Sequence, residues 1–209
     1  MSARDAILAA ARRNAPEPTP LPNVPDGGGG GDLVAGFRAM IEAGGGTVVD
    51  TNGEDAGGLA EAVGRAFPDA ERVVSLVPEV PGTGQAAALD GAPHALADLD
   101  LFVCRAVLGV AENGALWLPE SRLGARAAPF LAPQVAVVLG RSALVATMHD
   151  AYRALDAGPT GDPPGDTAGG DRQPDGFGVF VAGPSKTADI EQSLVVGAHG
   201  PLGLTVFLV

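Results

Sequence analysis

The sequence predicts an α/β fold, with a mostly parallel sheet covered by helices on both faces. Three observations predict it. Short β-branched runs alternate with stretches of helical periodicity, and glycines close most of those stretches. One run, 100–110, is nearly free of polar residues. A strand buried on both faces reads as such a continuous run, whereas a half-solvated strand alternates apolar with polar.

The elements come in chain order. Ser2 to Asn14 reads as a short helix with Ile7, Leu8 and Ala11 on one face; Ser2 and Asp5 suit its first turn. Pro16 to Pro25 and the glycines Gly27 to Gly31 read as a linker, because ordering such a segment costs much backbone entropy. The glycine run lacks both the Gly-Lys-Ser/Thr ending and the preceding strand of a phosphate-binding loop. Asp32 is placed to cap a helix with Leu33, Val34, Phe37, Met40 and Ile41 inward, stopped by Gly44-Gly45-Gly46.

Thr47 to Val49 is a short strand, about Ala56 to Phe67 a helix, and Arg72 to Leu76 another strand. The run 100–110, then Ala115 to Leu118 and Gln134 to Leu139, supply further strands. Thr147 to Asp150 has capping-box spacing and opens a helix through Leu155. Residues 156–176 form a Gly/Pro/Asp-rich loop of low hydrophobicity, expected to be mobile. Phe177 to Val181 and Leu204 to Leu208 are the last strands, flanking a short helix expected near 189–195. The organisation is therefore an N-terminal helix and linker, 1–31, followed by an α/β domain, 32–209.

Composition narrows the function. The chain has 209 residues, 13 Lys and Arg against 25 Asp and Glu, and a formal net charge of -12. Its basic residues form no stripe, which excludes a nucleic-acid backbone reader and argues against an anionic membrane surface. Cys104 is the sole cysteine. No internal disulfide can form, no thiolate cluster can hold iron–sulfur or structural zinc, and its apolar neighbours mark it as a buried small hydrophobe. The three histidines are scattered without i, i+4 pairing, so no metal site is expected. Without an apolar run of ~18 residues or a signal-peptide core, a cytoplasmic protein is expected.

Polar groups just past the strand ends of a parallel sheet face the crevice where ligands bind. Three segments stand at such positions. Glu112-Asn113-Gly114 follows the buried run; a carboxylate there is either functional or the solvated tip of a hairpin turn. Gly183 to Asp189 places Ser185, Lys186, Thr187 and Asp189 on a glycine-bounded turn before the expected helix. That arrangement suits an anion, and Thr187 or Asp189 equally suits an N-cap. His199, beside Gly200-Pro201, is either a general acid or base or a hydrogen-bonded structural residue.

The two longer segments carry a family resemblance. Ala106 to Gly114 is similar to an A-x-x-G-I-A-E/D-T/S-G pattern, and Gly183 to Glu191 with Gly197-Ala198-His199-Gly200-Pro201 resembles G-P-S-x-T-x-D-I-E … G-x-H-G-P. Both patterns belong to the LUD domain of the lactate utilization protein C family, and the match runs from about Phe37 to Val209. The resemblance implies a three-layer α/β/α domain of the type shared by ribose-5-phosphate isomerase, glucosamine-6-phosphate deaminase and CoA transferases. It further implies a part in bacterial oxidation of L-lactate to pyruvate beside iron–sulfur partner subunits, with no cofactor bound by this chain alone. A small carboxylate or phosphate ligand would then be held by Asn113, Gly114, Ser185, Lys186, Thr187 and Asp189, with Glu112 and His199 moving protons.

Asn113 departs from the family's small hydroxyl, and Glu112-Asn113-Gly114 is similar to a CoA-transferase segment whose glutamate forms an acyl thioester. Two other functions therefore stand beside the first. One is a stand-alone acyl transferase or sugar-phosphate isomerase using Glu112; the other is a non-catalytic assembly or regulatory subunit. All three readings expect the turns at Glu112 and Ser185 to open, with His199, into one cleft.

Overall fold

A computed structural model describes residues 2–17, 19–20, 22, 31–51, 56–83, 93–156, 177–188 and 193–209. The glycine run 27–30, most of the loop 156–176 and Asp189 lie outside the described residues.

Helix α1, Ala3–Arg13, starts on a capping box in which the Ser2 and Asp5 side chains each bond the other's backbone amide. It buries no residue. Helix α2, Leu33–Ala43, is capped by Asp32, whose carboxylate accepts from the amides of Val34 (3.0 Å) and Ala35 (3.1 Å). Phe37 and Ile41, one turn apart, enter the core. Gly45 then turns left-handed at φ 82° while Gly45 and Gly46 donate to Glu42 and Ile41 carbonyls, a closure that only glycine adopts without strain.

Strands β1 (Thr47–Asp50), β2 (Val73–Ser75), β3 (Leu101–Arg105), β6 (Gln134–Leu139) and β11 (Gly203–Leu208) form one sheet, ordered β1-β11-β6-β3-β2. Every pairing in it is parallel. Helix α3, Ala56–Ala66, connects β1 to β2. The period-2 rule sorts the side chains between two cores. Phe102, Cys104, Val135, Val137, Leu139, Val206 and Leu208 join Phe37 and Ile41 on one face. Leu101, Val103, Val138 and Phe207 join Leu59 and Val63 of α3 on the other. Burying each such Leu, Val or Phe contributes about 1.5–3 kcal/mol before chain entropy is set against it, so the doubly covered strands anchor the domain.

The α2 face carries a second sheet. Strands β4 (Leu108–Val110), β5 (Leu116–Pro119), β7 (Leu144–Val145) and β8 (Gly178–Val181) are ordered β7-β4-β5-β8. β4 pairs antiparallel with β5, and β5 antiparallel with β8. The expected strands at 115–118 and 177–181 exist, but they lie here and not in the parallel sheet. The run 100–110 is likewise two strands, β3 and β4, one in each sheet. A short helix α4, Ala128–Leu131, and helix α5, Met148–Asp156, complete this side. α5 opens on the expected box: Thr147 Oγ donates to the Asp150 carboxylate at 2.8 Å, and the Asp150 amide donates back to Thr147 Oγ at 3.2 Å.

Of the short helix expected near 189–195, residues 189–192 lie outside the described residues, and 193–195 are not helical. Strands β9 (Lys186–Thr187) and β10 (Val195–Val196) pair antiparallel, Lys186 opposite Val196. No helix among the described residues is long and apolar enough to cross a membrane.

Candidate anion pocket

The C-terminus of α2 organises the site. Its Gly44 carbonyl is closely approached by Gly183, where a φ of 99° and a missing Cβ let the backbone after β8 pass; a Cβ there would lie 3.0 Å from that oxygen. Two residues on, Ser185 donates its amide to the Pro201 carbonyl (2.9 Å), and its own carbonyl accepts from the Gly197 amide (2.9 Å). Gly200 sits against the Ser185 side chain, where an added Cβ would lie 3.0 Å from Ser185 Cβ. The segments 183–186 and 199–201 are therefore neighbours, although a hairpin separates them in sequence. The ammonium of Lys186 returns to α2 and donates to the Gly44 carbonyl, where the helix dipole favours a cation.

A cavity of about 340 Å³ opens between these segments and the sheet. Ser185, Lys186 and His199 supply its polar groups, and no carboxylate is found among the described residues that line it. Its apolar side comes from Leu118 of β5, Val135 of β6 and Leu204 of β11, with Phe130 of α4 and Phe180 of β8 as walls. Val135 and Leu204 are the second residues of their strands, so the cavity lies at the amino ends of parallel strands and not at the expected carboxyl ends. Sequence reasoning misses the two phenyl walls. Pro129-Phe130 in an Ala/Pro-rich stretch carries no chemistry that flags it.

The other turn goes elsewhere. Glu112 is exposed, does not line this cavity, and accepts the Met148 amide at 2.9 Å, so its carboxylate sits on the N-terminus of α5. Asn113 accepts the Ala115 amide at 3.0 Å across a tight turn. Gly114 is buried at φ 71°, packed against the backbone of Met40 and Ile41. Both turns thus lean on α2, but only the later one faces the cavity. Thr187 pairs in β9 beside Lys186 without lining the cavity.

Cys104 is buried, and burial pushes its thiol up to about 12, which removes it from nucleophilic chemistry. No group of three or more His, Cys, Asp or Glu fit to hold a metal occurs among the described residues.

Residues 69–209 match the model of the LUD domain. The chain belongs to the LUD domain family. That span includes the Glu112 turn, every lining residue of the cavity and four of the five central strands; only β1 lies before it. Similar proteins include "Lactate utilization protein C" of Shouchella clausii, 34% identical over 103 residues, 49% of this chain and 41% of that protein. The protein of the same name from Halalkalibacterium halodurans is 32% identical over 103 residues, with the same coverage. The match therefore spans about two-fifths of the length of these relatives. A crystal structure of a DUF162 family protein from Deinococcus radiodurans superposes with a TM-score of 0.56 at 18% identity, covering 85% of this chain and 96% of that one. That likeness shows the fold, an α/β domain on a parallel central sheet.

Proposed function

We propose that this LUD domain serves a bacterial lactate-utilization system as its anion-binding component, beside partner subunits that carry iron–sulfur clusters. The observation that carries the reading is the meeting of Ser185, Lys186 and His199 in one cavity without a lining carboxylate among the described residues. An ammonium and an imidazole on the lining of a cavity whose other side chains are mostly hydrocarbon favour a carboxylate or phosphate. The name printed for the relatives supports lactate metabolism as the setting.

Within the site, Lys186 supplies the fixed charge, Ser185 a hydroxyl donor, and His199 a group able to donate or accept a proton at the ligand. The single buried cysteine leaves this chain without the thiolates of an iron–sulfur cluster, so iron–sulfur electron transfer would fall to a partner subunit.

Calorimetric titration with L-lactate, pyruvate and inorganic phosphate tests the binding. At least one is expected to bind, and Lys186→Gln or His199→Gln to weaken it at least tenfold. No binding of any of the three, or binding indifferent to both substitutions, ends the reading. Growth on L-lactate after deletion of the gene tests the setting: growth should fail, and its persistence at the normal rate would remove lactate from the proposal.

A further inference from the structure

We infer that the cavity takes a bulky amphiphilic carboxylate, an acid head carrying an aromatic or branched apolar body, in preference to a free three-carbon acid. The inference rests on the anion-site reading above and adds the class of ligand.

Size argues first. The cavity holds about 340 Å³. A three-carbon hydroxy acid has six non-hydrogen atoms, and even at the ~30 Å³ that liquid water occupies per oxygen it would fill roughly 180 Å³. About half the space would remain beside apolar walls, whose dispersion contacts with a ligand would go unmade. Filling it requires on the order of ten or more non-hydrogen atoms at the same packing.

Chemistry argues second. The polar side chains come from the two adjoining segments 185–186 and 199, while Leu118 of the second sheet and Val135 and Leu204 of the parallel one bring only hydrocarbon. The ligand is thus asked to be charged at one end and apolar at the other. Phe180 is held in place by Trp117, with ring centroids 4.7 Å apart, and by Tyr152 at 5.8 Å, so this wall is formed before any ligand arrives. Phe130, another wall of the same lining, is 43% exposed, an uncovered phenyl at the margin of a cavity. A flat ring or branched chain entering beside Phe130 and Phe180 would remove that surface from water.

The test uses the full chain, with L-lactate and 3-phenyllactate as probes sharing one head group. Trp117, the only tryptophan, packs at a tilt against Phe180 of the cavity wall and reports occupancy by fluorescence, with calorimetry as the second readout. 3-Phenyllactate is expected to bind at least tenfold more tightly than L-lactate. Phe130→Ala should weaken 3-phenyllactate about tenfold and L-lactate by much less, so that the preference between the two acids shrinks. Should Phe130→Ala melt early, Phe130→Leu makes the same comparison with less volume lost. Equal affinity for the two acids, or exclusion of 3-phenyllactate while L-lactate binds, overturns the inference and leaves the anion site standing. Neither acid binding, or both binding with no response to His199→Gln and Lys186→Gln, overturns the anion site and this inference together.

Discussion

Ala106 and Val107 are consecutive, yet their amides donate into different sheets: Ala106 to the Val138 carbonyl of β6, and Val107 to the Trp117 carbonyl of β5, each at 3.0 Å. The chain changes layer within one peptide unit, with both donors satisfied. Past the switch, β4 must run close to the central sheet. Its Gly109 makes that approach possible; a Cβ there would lie 2.6 Å from Leu139 Cδ2, 3.0 Å from Leu144 Cδ2 and 3.2 Å from Phe37 Cε2. All three neighbours are buried, so none moves freely. Gly109→Ala is expected to destabilise the protein by about 1–3 kcal/mol, the usual cost of overpacking, measured by chemical denaturation. A loss below about 0.5 kcal/mol would show that the two layers are not packed as described.

That switch also marks where sequence reasoning stops. Strands, helices and caps were legible because each has a local cause: Asp32 and Thr147 at helix starts, Gly44 to Gly46 at a stop, and unbroken apolar runs for doubly buried strands. The run 100–110 is nearly free of polar residues whether it stays in one sheet or crosses to another, so the partner of Val107 is a long-range choice that no local pattern records. The same holds for the site. The polar residues of 183–201 stand out by composition, but the hairpin that folds Ser185 back towards Pro201 and the phenyl walls of Phe130 and Phe180 depend on tertiary packing. Glu112 shows the converse, a conspicuous carboxylate that the fold uses at the start of α5.

Glu112 and Gly114 are therefore expected to matter for stability and not for the cavity. Gly114→Ala places a Cβ at φ 71° and 3.0 Å from the Ile41 amide nitrogen, backbone against backbone. Strain and clash together should cost about 2 kcal/mol or more. Glu112→Gln should leave anion affinity in the cavity unchanged within twofold by calorimetry. A tenfold loss would bring Glu112 back into the site.

Cys104 offers a check on the core. It has no measurable exposure, and desolvation of the thiolate raises its titration to about 12. A thiol reagent at pH 8 should leave it unmodified in the native protein for as long as the fold persists, and label it fully in denaturant. Stoichiometric labelling under native conditions within minutes would mean that β3 is not buried on both faces.

The cap of α5 gives a pH dependence with a definite sign. The Asp150 carboxyl is held below its ordinary value, chiefly because Thr147 donates its hydroxyl to it. A lowered folded value means that ionised Asp150 favours the folded state. The contribution is complete above the unfolded value of about 3.9 and disappears as pH falls through the lowered folded value. Thr147→Val removes the donor and keeps the shape. It should lower the melting temperature by about 2–4 °C at neutral pH, and by less once the pH is below the folded value. A difference that grows on acidification contradicts this assignment.

Lys186 ties binding to structure, because the ammonium offered to an anion also closes the C-terminus of α2 at Gly44. Three N–H donors let it serve both, so a ligand should reinforce the contact without pulling it away. Lys186→Met is expected to lower the melting temperature by about 1–4 °C through loss of a cation at a helix end. The larger effect should appear with ligand present. At a hundred times Kd, an anion binding the native state stabilises it by about 2.7 kcal/mol, or roughly 5–11 °C for a domain of this size. The wild type should show that rise by scanning calorimetry, and Lys186→Met should lose most of it at the same ligand concentration. If the variant melts early but keeps the full rise, Lys186 is a helix-closing residue only, and His199 with Ser185 must hold the anion alone.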